Sequence, residues 1–299
     1  VLLLGGMTND IQASFNQFWH NALSVSVDKL VSSKDEVNTN FTALHQYACN
    51  PENFAPKVRK QINNLPAVFK AIEQSGQLHW VKGVEYISDV PGKNSANEFL
   101  GDSGLSTDRL ISLVKNAQKS LTIQSPYLVT TELSRTLFKT LVDKGVDVKI
   151  LTNSLASNDN LEAFSGYQRD REALLKTGVK LYEFKPDALI RQKIMSDVMQ
   201  GQLQTMPIFG LHAKSMVVDD DITVIGTFNL DPRSANLNTE SIVIIPSKEI
   251  SKNVKAGMLA EMQPENAWQT TLEWNPDGEE TLSKRFKVKL RRIVPKNIL

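Results

Sequence analysis

From Thr107 to Phe184 short apolar strands alternate with amphipathic helices, and this rhythm restricts the fold more than anything else in the chain. Thr107–Ala117 predicts a helix with Leu110, Leu113 and Val114 on one face, and Leu121–Ser125 predicts a strand. Glu132–Lys144 reads as a helix closed by Gly145, Val146–Leu151 as an apolar strand, residues 158–176 as a helix ended by Gly178, and Val179–Phe184 as a strand. Strands joined through a crossover helix run parallel. The succession therefore predicts an α/β fold: a mostly parallel, mixed β-sheet with helices on both faces. Further on, strands at about 214–219 and 222–226 flank the acidic turn Asp219-Asp220-Asp221. Glu240–Ile245 is a strand, Ser247–Gln263 a helix capped by its serine, and 267–274 a late strand. The upstream part reads differently. Residues 8–20 predict a helix with Thr8 as its cap and Ile11, Phe15, Phe18 and Trp19 at helical spacing. Two more helices over 33–75 break near Pro51 and Pro56, His79–Ile87 is a strand, and 88–105 is a loop. The expected division is a mostly helical segment, 1–100, and an α/β segment, 101–299.

The chemistry sits in Leu211-His212-Ala213-Lys214-Ser215-Met216-Val217-Val218-Asp219, followed by Ile225-Gly226-Thr227-Phe228-Asn229. On a strand, residues two apart share a face, so His212 and Lys214 project together. Asn229, after the next strand, returns to the same edge, and Gly226 removes a side chain there, which would let a ligand approach the backbone. An imidazole, an ammonium, an amide and the Thr227 hydroxyl in one place suit a phosphodiester. His212 could serve as nucleophile or general acid, because imidazole changes charge nearest neutral pH.

The spacing His-x-Lys-x4-Asp-x6-Gly-(Ser/Thr)-x-Asn resembles the HKD signature of the phospholipase D superfamily, and His212, Lys214, Asp219, Gly226, Thr227 and Asn229 fill its six fixed positions. Further stretches resemble bacterial cardiolipin synthases and related phosphatidyltransferases: Gln124-Ser125-Pro126-Tyr127, Thr152-Asn153-Ser154-Leu155, Gly178–Glu183 and the run from Asn229 to Glu240. Phe15–Trp19 resembles the end of a first repeat and Ser88–Lys93 the start of a second. The resemblance implies that Glu240 orients the site histidine and that Ser125 and Tyr127 line the pocket.

The same resemblance implies two motifs per enzyme, meeting at a pseudo-twofold axis. His20, His45 and His79 lack a lysine two residues later, so this chain carries one motif. Val1 is expected to be a cut point inside a longer protein whose first motif precedes it; alternatively a partner chain, such as a second copy, supplies the other half. The implied reaction needs no metal and no cofactor. One histidine attacks phosphorus to form a phosphohistidine, and the other protonates the leaving alcohol, then activates water or a second alcohol. The family pattern assigns attack to the first motif, which gives His212 the acid–base role.

Composition bounds the rest. With 41% hydrophobic residues in 299, the chain can bury a sizeable core. Its net charge of +1 provides no global field for nucleic acid. Cys49 is the sole cysteine, which excludes a disulfide or a cysteine-based metal site within the chain. Several residues keep two readings. Asp219 belongs to the motif yet sits in a turn that it could simply fix. Arg233 is either a lipid-phosphate contact or a solvated cap, and Tyr127 and Tyr167 either line a pocket or fill the core. Met206-Pro207-Ile208-Phe209 is a lipid-facing lip or buried wall, and residues 186–205 are an amphipathic insert or ordinary packing. The basic tail Lys284–Arg292 either meets anionic headgroups or is solvated. The expected partners are phospholipids and the inner face of a bacterial membrane, touched peripherally from the cytoplasm, with no nucleic acid. The rival readings are a nuclease of the same superfamily and a non-catalytic membrane module that keeps a phosphate pocket.

Overall fold

A computed structural model describes residues 2–30, 41–54, 56–76, 78–93, 104–199 and 210–299. The chain divides into two compact units: residues 1–21, 81–189 and 208–299 form the first, and 22–80 with 190–207 form the second.

The first unit is built on one eight-stranded sheet among the described residues. Its strands are β1 (Glu85–Ser88), β2 (Ser120–Gln124), β3 (Asp147–Asn153), β4 (Lys180–Phe184), β5 (Ser215–Val218), β6 (Ile222–Gly226), β7 (Ser241–Pro246) and β8 (Ala267–Thr270). They lie in the order β1-β7-β6-β5-β2-β3-β4-β8. The α/β class and the mixed sheet are as the sequence predicts. The parallel part is narrower than expected: only β2–β3 and β3–β4 pair parallel, and the other five pairings are antiparallel. The cause lies in the connections. Helices join β2, β3 and β4, whereas β5 and β6 are joined by a tight hairpin. Asp219 (φ 54°) and Asp220 (φ 63°) are both left-handed at its centre, and the Asp221 N–H donates to the Val218 carbonyl. Left-handed geometry at both central positions is what a type I′ turn requires, and aspartate tolerates it better than most residues.

The helices, in chain order, are α1 (Met7–Trp19), α2 (Thr42–Cys49), α3 (Pro56–Ile62), α4 (Leu65–Gln74), α5 (Leu105–Lys115), α6 (Glu132–Asp143), α7 (Leu161–Leu175), α8 (Leu189–Met199), α9 (Pro232–Asn236), α10 (Lys248–Glu261) and α11 (Leu282–Arg291). In the first unit α1 lies against β1; Thr8 does not cap it, since its hydroxyl donates to the Gly5 carbonyl instead. Leu110, Leu113 and Val114 of α5 and Phe138 and Leu141 of α6 join Leu121, Ile123, Met216 and Val224 of the sheet in one core. The Thr223 hydroxyl of β6 meets that of Ser251 on α10 at 2.8 Å, which places α10 on the opposite face. Ser247 caps α10 as the sequence predicts, and Thr131 and Ser134 form a capping box on α6. The basic tail is helical, as α11.

The second unit contains α2, α3, α4 and the body of α8. The break near Pro51 is a short 3-10 turn, Pro51–Asn53. Pro56 opens α3 instead of interrupting a helix, as suits a residue with no N–H to leave unpaired. The stretch Met206–Phe209 lies outside the described residues. Among the described residues no helix is long and apolar enough to cross a membrane.

Candidate active site

β5 runs antiparallel to β2 and β6, so its beginning lies at the same sheet edge as the ends of β2, β3 and β6 and the start of β7. Every candidate that the structure gathers is at this edge. Asn153, the last residue of β3, fixes the approach to the motif: its Oδ1 accepts from the Leu211 N–H at 2.7 Å and its Nδ2 donates to the Leu211 carbonyl at 2.9 Å. A two-point clamp sets the register one residue before His212. Lys214 Nζ then stands 3.4 Å from His212 Nδ1 and donates to the His212 carbonyl at 3.1 Å. The imidazole is exposed and the lysine half-buried.

The segment after β6 crosses the beginning of β5 and is stitched to the segment after β2. The Leu230 N–H donates to the Ser125 hydroxyl at 2.9 Å, and the Val129 N–H donates to the Leu230 carbonyl at 2.9 Å. Asn229 is carried over this edge, and its side-chain Oδ1 is buried with no hydrogen-bond partner among the described residues. A polar atom left so is costly unless something else pairs with it.

Glu240 is nearly fully buried at the start of β7. One carboxylate oxygen accepts from the Thr227 hydroxyl, and the other accepts from Asn238 Nδ2 at 3.2 Å. The expected contact between Glu240 and His212 is not made among the described residues; the carboxylate is taken up by Thr227 and Asn238. Its own N–H donates at 3.0 Å to Asp89, which also pairs with Lys93 at 2.7 Å. Lys93 in turn donates to the Ser234 carbonyl of α9 at 2.9 Å. An open cleft of about 710 Å³ borders Thr227 and Glu240, with Ile11, Phe15 and Phe18 of α1 on its other wall.

Gly226 acts differently from the expectation of an open approach for a ligand. A Cβ at this position would lie 2.2 Å from the Ser241 carbonyl oxygen and 2.9 Å from the Ile242 Cα. The missing side chain is needed to pair β6 with β7. Asp219 is not brought to the site. It lies beyond the far end of β5, at the opposite edge, where its carboxylate accepts from the N–H groups of Gln118, Lys119 and Ser120 at 2.8, 2.7 and 3.0 Å. Ser125 is at the edge but buried, and its hydroxyl donates to the Tyr127 carbonyl at 2.6 Å while accepting from Leu230, so it braces the wall. Tyr127 donates to Asp159 at 3.1 Å. Burial, helped by Asp159 and Asp231, pushes its phenol up to about 12. Tyr167 is in the core, donating to the buried Glu183 at 2.7 Å. Arg233 is exposed and donates to Asn238 Oδ1 at 3.2 Å.

Burial holds the Lys214 ammonium below the usual lysine range, while Glu240, Asp231 and Asp159 pull it the other way. Asp231 has no predicted role in the sequence, yet it belongs to this field. It is buried, caps α9 by accepting from the Ser234 N–H at 2.7 Å, and is pushed up to about 6, first by burial and further by Glu240. The signal for it in the sequence is its place in the run from Asn229 to Glu240. Among the described residues, no three of histidine, cysteine, aspartate and glutamate are grouped to hold a metal ion. What this edge offers an incoming group is a cation touching an imidazole, with amide and hydroxyl groups nearby.

Residues 110–260 match the family model described as "Cardiolipin synthase, PLD-like domain". The chain is 29% identical over 262 residues to an uncharacterized protein of Helicobacter pylori strain J99, covering 86% of this chain and 49% of that one. It is 29% identical over 275 residues to cardiolipin synthase C of Escherichia coli K12, covering 91% and 56%. The chain thus spans about half the length of the curated relatives it matches. Among solved structures, phosphatidylserine synthase of Haemophilus influenzae Rd KW20 aligns with a TM-score of 0.47 at 18% identity, covering 81% of this chain and 55% of that one. Nuc, a phospholipase D family member from Salmonella typhimurium, aligns with a TM-score of 0.42 at 14% identity, covering 63% and 98%.

Proposed function

Because the chain belongs to the cardiolipin synthase, PLD-like domain family, we propose that it supplies one half-site of a phospholipid phosphodiesterase that moves a phosphatidyl group to an alcohol or to water. The observation that carries this reading is the contact of Lys214 Nζ with the exposed His212 ring, at the edge over which Asn229 is carried. Lys214 neutralises a non-bridging phosphoryl oxygen as a point charge, and the partly buried setting strengthens that attraction relative to water.

The second histidine comes from a second motif outside these 299 residues, in the same polypeptide or in another copy of the chain. Its ring nitrogen attacks phosphorus, a P–N bond forms, and the P–O bond to the leaving alcohol breaks as His212 gives that oxygen a proton. His212 then takes a proton from the incoming alcohol or water, whose oxygen displaces the histidine. Glu240 acts one step back, holding Thr227 and Asn238 instead of the ring. The site meets its substrate at the surface of a membrane, peripherally and from the cytoplasmic side.

The test is turnover of labelled phosphatidylglycerol by this chain and by an upstream-extended chain. The extended chain is expected to produce cardiolipin or phosphatidic acid, and His212→Ala or Lys214→Met to lower the rate by at least about a thousandfold, as loss of a group that acts in the transition state does. Full turnover by this chain as a monomer would overturn the half-site reading. Cleavage of a nucleic-acid phosphodiester, with phospholipids left intact, would overturn the substrate class.

A further inference from the structure

α11 is held to the first unit by one side only. Val288 is completely buried in the core. Arg291 pairs with Glu162 in the first turn of α7 at 2.6 Å, and Lys284 donates to the Ala156 carbonyl at 3.4 Å. On the other side Leu282, Phe286 and Leu290 are 77%, 62% and 50% exposed. They are four residues apart and therefore form one stripe. Ile293 follows just after the helix, also exposed. The turn leading into α11 exposes Leu272 and Trp274 as well, and tryptophan favours the boundary between water and lipid. From Leu282 to Ile293 there are Lys284, Arg285, Lys287, Lys289, Arg291 and Arg292 and no acidic residue. Lys287 and Lys289, beside the stripe, are exposed and make no ion pair among the described residues.

We propose that α11 is a docking surface for an anionic phospholipid bilayer, with the Leu282–Phe286–Leu290 stripe at the acyl boundary and the flanking lysines on lipid phosphates. Apolar residues on one face of a helix with lysines and arginines beside them are the arrangement that lies in a membrane interface. Charge complementarity favours this occupant over a second copy of the chain, since two such helices would bring like charges together. The chain as a whole, at +1, has no field that would collect anionic lipid, so the attraction is local to this helix. The location suits the chemistry. Ala156 belongs to the segment after β3, and Asn153 at the end of β3 clamps Leu211 next to His212. Through Lys284, α11 therefore touches the segment that follows β3 at the edge that carries the motif. This inference rests on the phospholipid reading of that site and names the surface by which the site reaches its substrate.

The experiment is flotation of the full chain with phosphatidylcholine vesicles, with and without phosphatidylglycerol. Binding is expected only with the anionic lipid and is expected to fall with added salt. Phe286→Ser/Leu290→Ser and Lys287→Glu/Lys289→Glu, both on exposed positions that leave Val288 in place, are each expected to weaken it by about tenfold or more. Lys144→Glu/Lys252→Glu, the same charge change on α10 and the end of α6, is expected to leave it unaltered. Equal loss with this control pair, equal binding to neutral vesicles, or binding unaffected by the α11 variants would overturn the inference. So would conversion of a dimer to a monomer by the serine variant with vesicle binding retained, which would make the stripe an interface between copies. Docking is read without turnover, so the two readings fail separately. A chain that docks through α11 and turns over no phospholipid loses only the catalytic reading, and one that turns over phosphatidylglycerol but docks without α11 loses only this one.

Discussion

Asp231 shows how a single carboxyl can be set by the edge it caps. Burial and the nearby Glu240 push it up to about 6 from an ordinary 3.8. A carboxyl whose folded value is raised adds stability below its unfolded value, and that stability is lost as pH rises through the folded value. The window is therefore about pH 4 to 6. Asn caps a helix as well as Asp does, so Asp231→Asn removes the titration and keeps the cap. The stability of this variant relative to the parent should increase across pH 4 to 7 by up to about 3 kcal/mol, from two pH units at about 1.4 kcal/mol each. Urea unfolding at several pH values checks this; a difference that does not vary with pH would refute it. Gly226 is a second residue whose meaning lies in its surroundings. The motif names it, but the 2.2 Å separation from the Ser241 carbonyl is what requires glycine.

At the scale of elements, the β5–β6 hairpin divides the motif between two edges. Its near end carries His212, Lys214 and, after β6, Asn229; its far end carries Asp219. Asp219 ties the hairpin turn to the start of β2 through three N–H groups while holding a left-handed backbone. Asp219→Ala removes those three acceptors and is less tolerant of φ 54°. The expected cost is about 1–3 kcal/mol, because the exposed Gln118 and Lys119 N–H groups can turn to water while that of buried Ser120 is left unpaired. A shift of the urea midpoint with an unchanged slope is the readout, and an unmoved midpoint would mean that the three bonds add nothing net. The Asn153 clamp on Leu211 is the matching device at the near end; Asn153 belongs to a stretch that carries the family resemblance, but its partner, 58 residues away, is set only by the fold.

At the scale of the whole sheet, stability on the side away from the motif depends on a buried ionic group. Glu183 of β4, completely buried, accepts from Tyr167 at 2.7 Å, from Thr270 of β8 at 2.8 Å and from Arg171 of α7 at 3.2 Å. Arg171 also pairs with Asp277 at 2.7 Å, just ahead of α11. Burial raises the Glu183 carboxyl; burial also works to lower Arg171, but Asp277 and Glu183 outweigh it and hold the guanidinium above the usual arginine range. Taking away one member of such a group strands the other. Arg171→Met is expected to cost about 3–5 kcal/mol in chemical unfolding, whereas a loss under about 1 kcal/mol would mean the pair is near neutral against a hydrophobic replacement.

The sequence by itself determined the strand–helix rhythm, the mixed α/β class and the pairing of His212 with Lys214 at one place, because these depend on local periodicity, turn chemistry and residues only two apart. It also carried the family, since the motif spacing is a linear pattern. Only the tertiary structure decided that five strand pairings are antiparallel, that Gly226 serves β7, that Glu240 bonds Thr227 and Asn238 instead of His212, and that Asp231 joins the field around Lys214. Each of these depends on which strand lies beside which and on how deeply a carboxyl is buried, and those are properties of neighbours far apart in the chain.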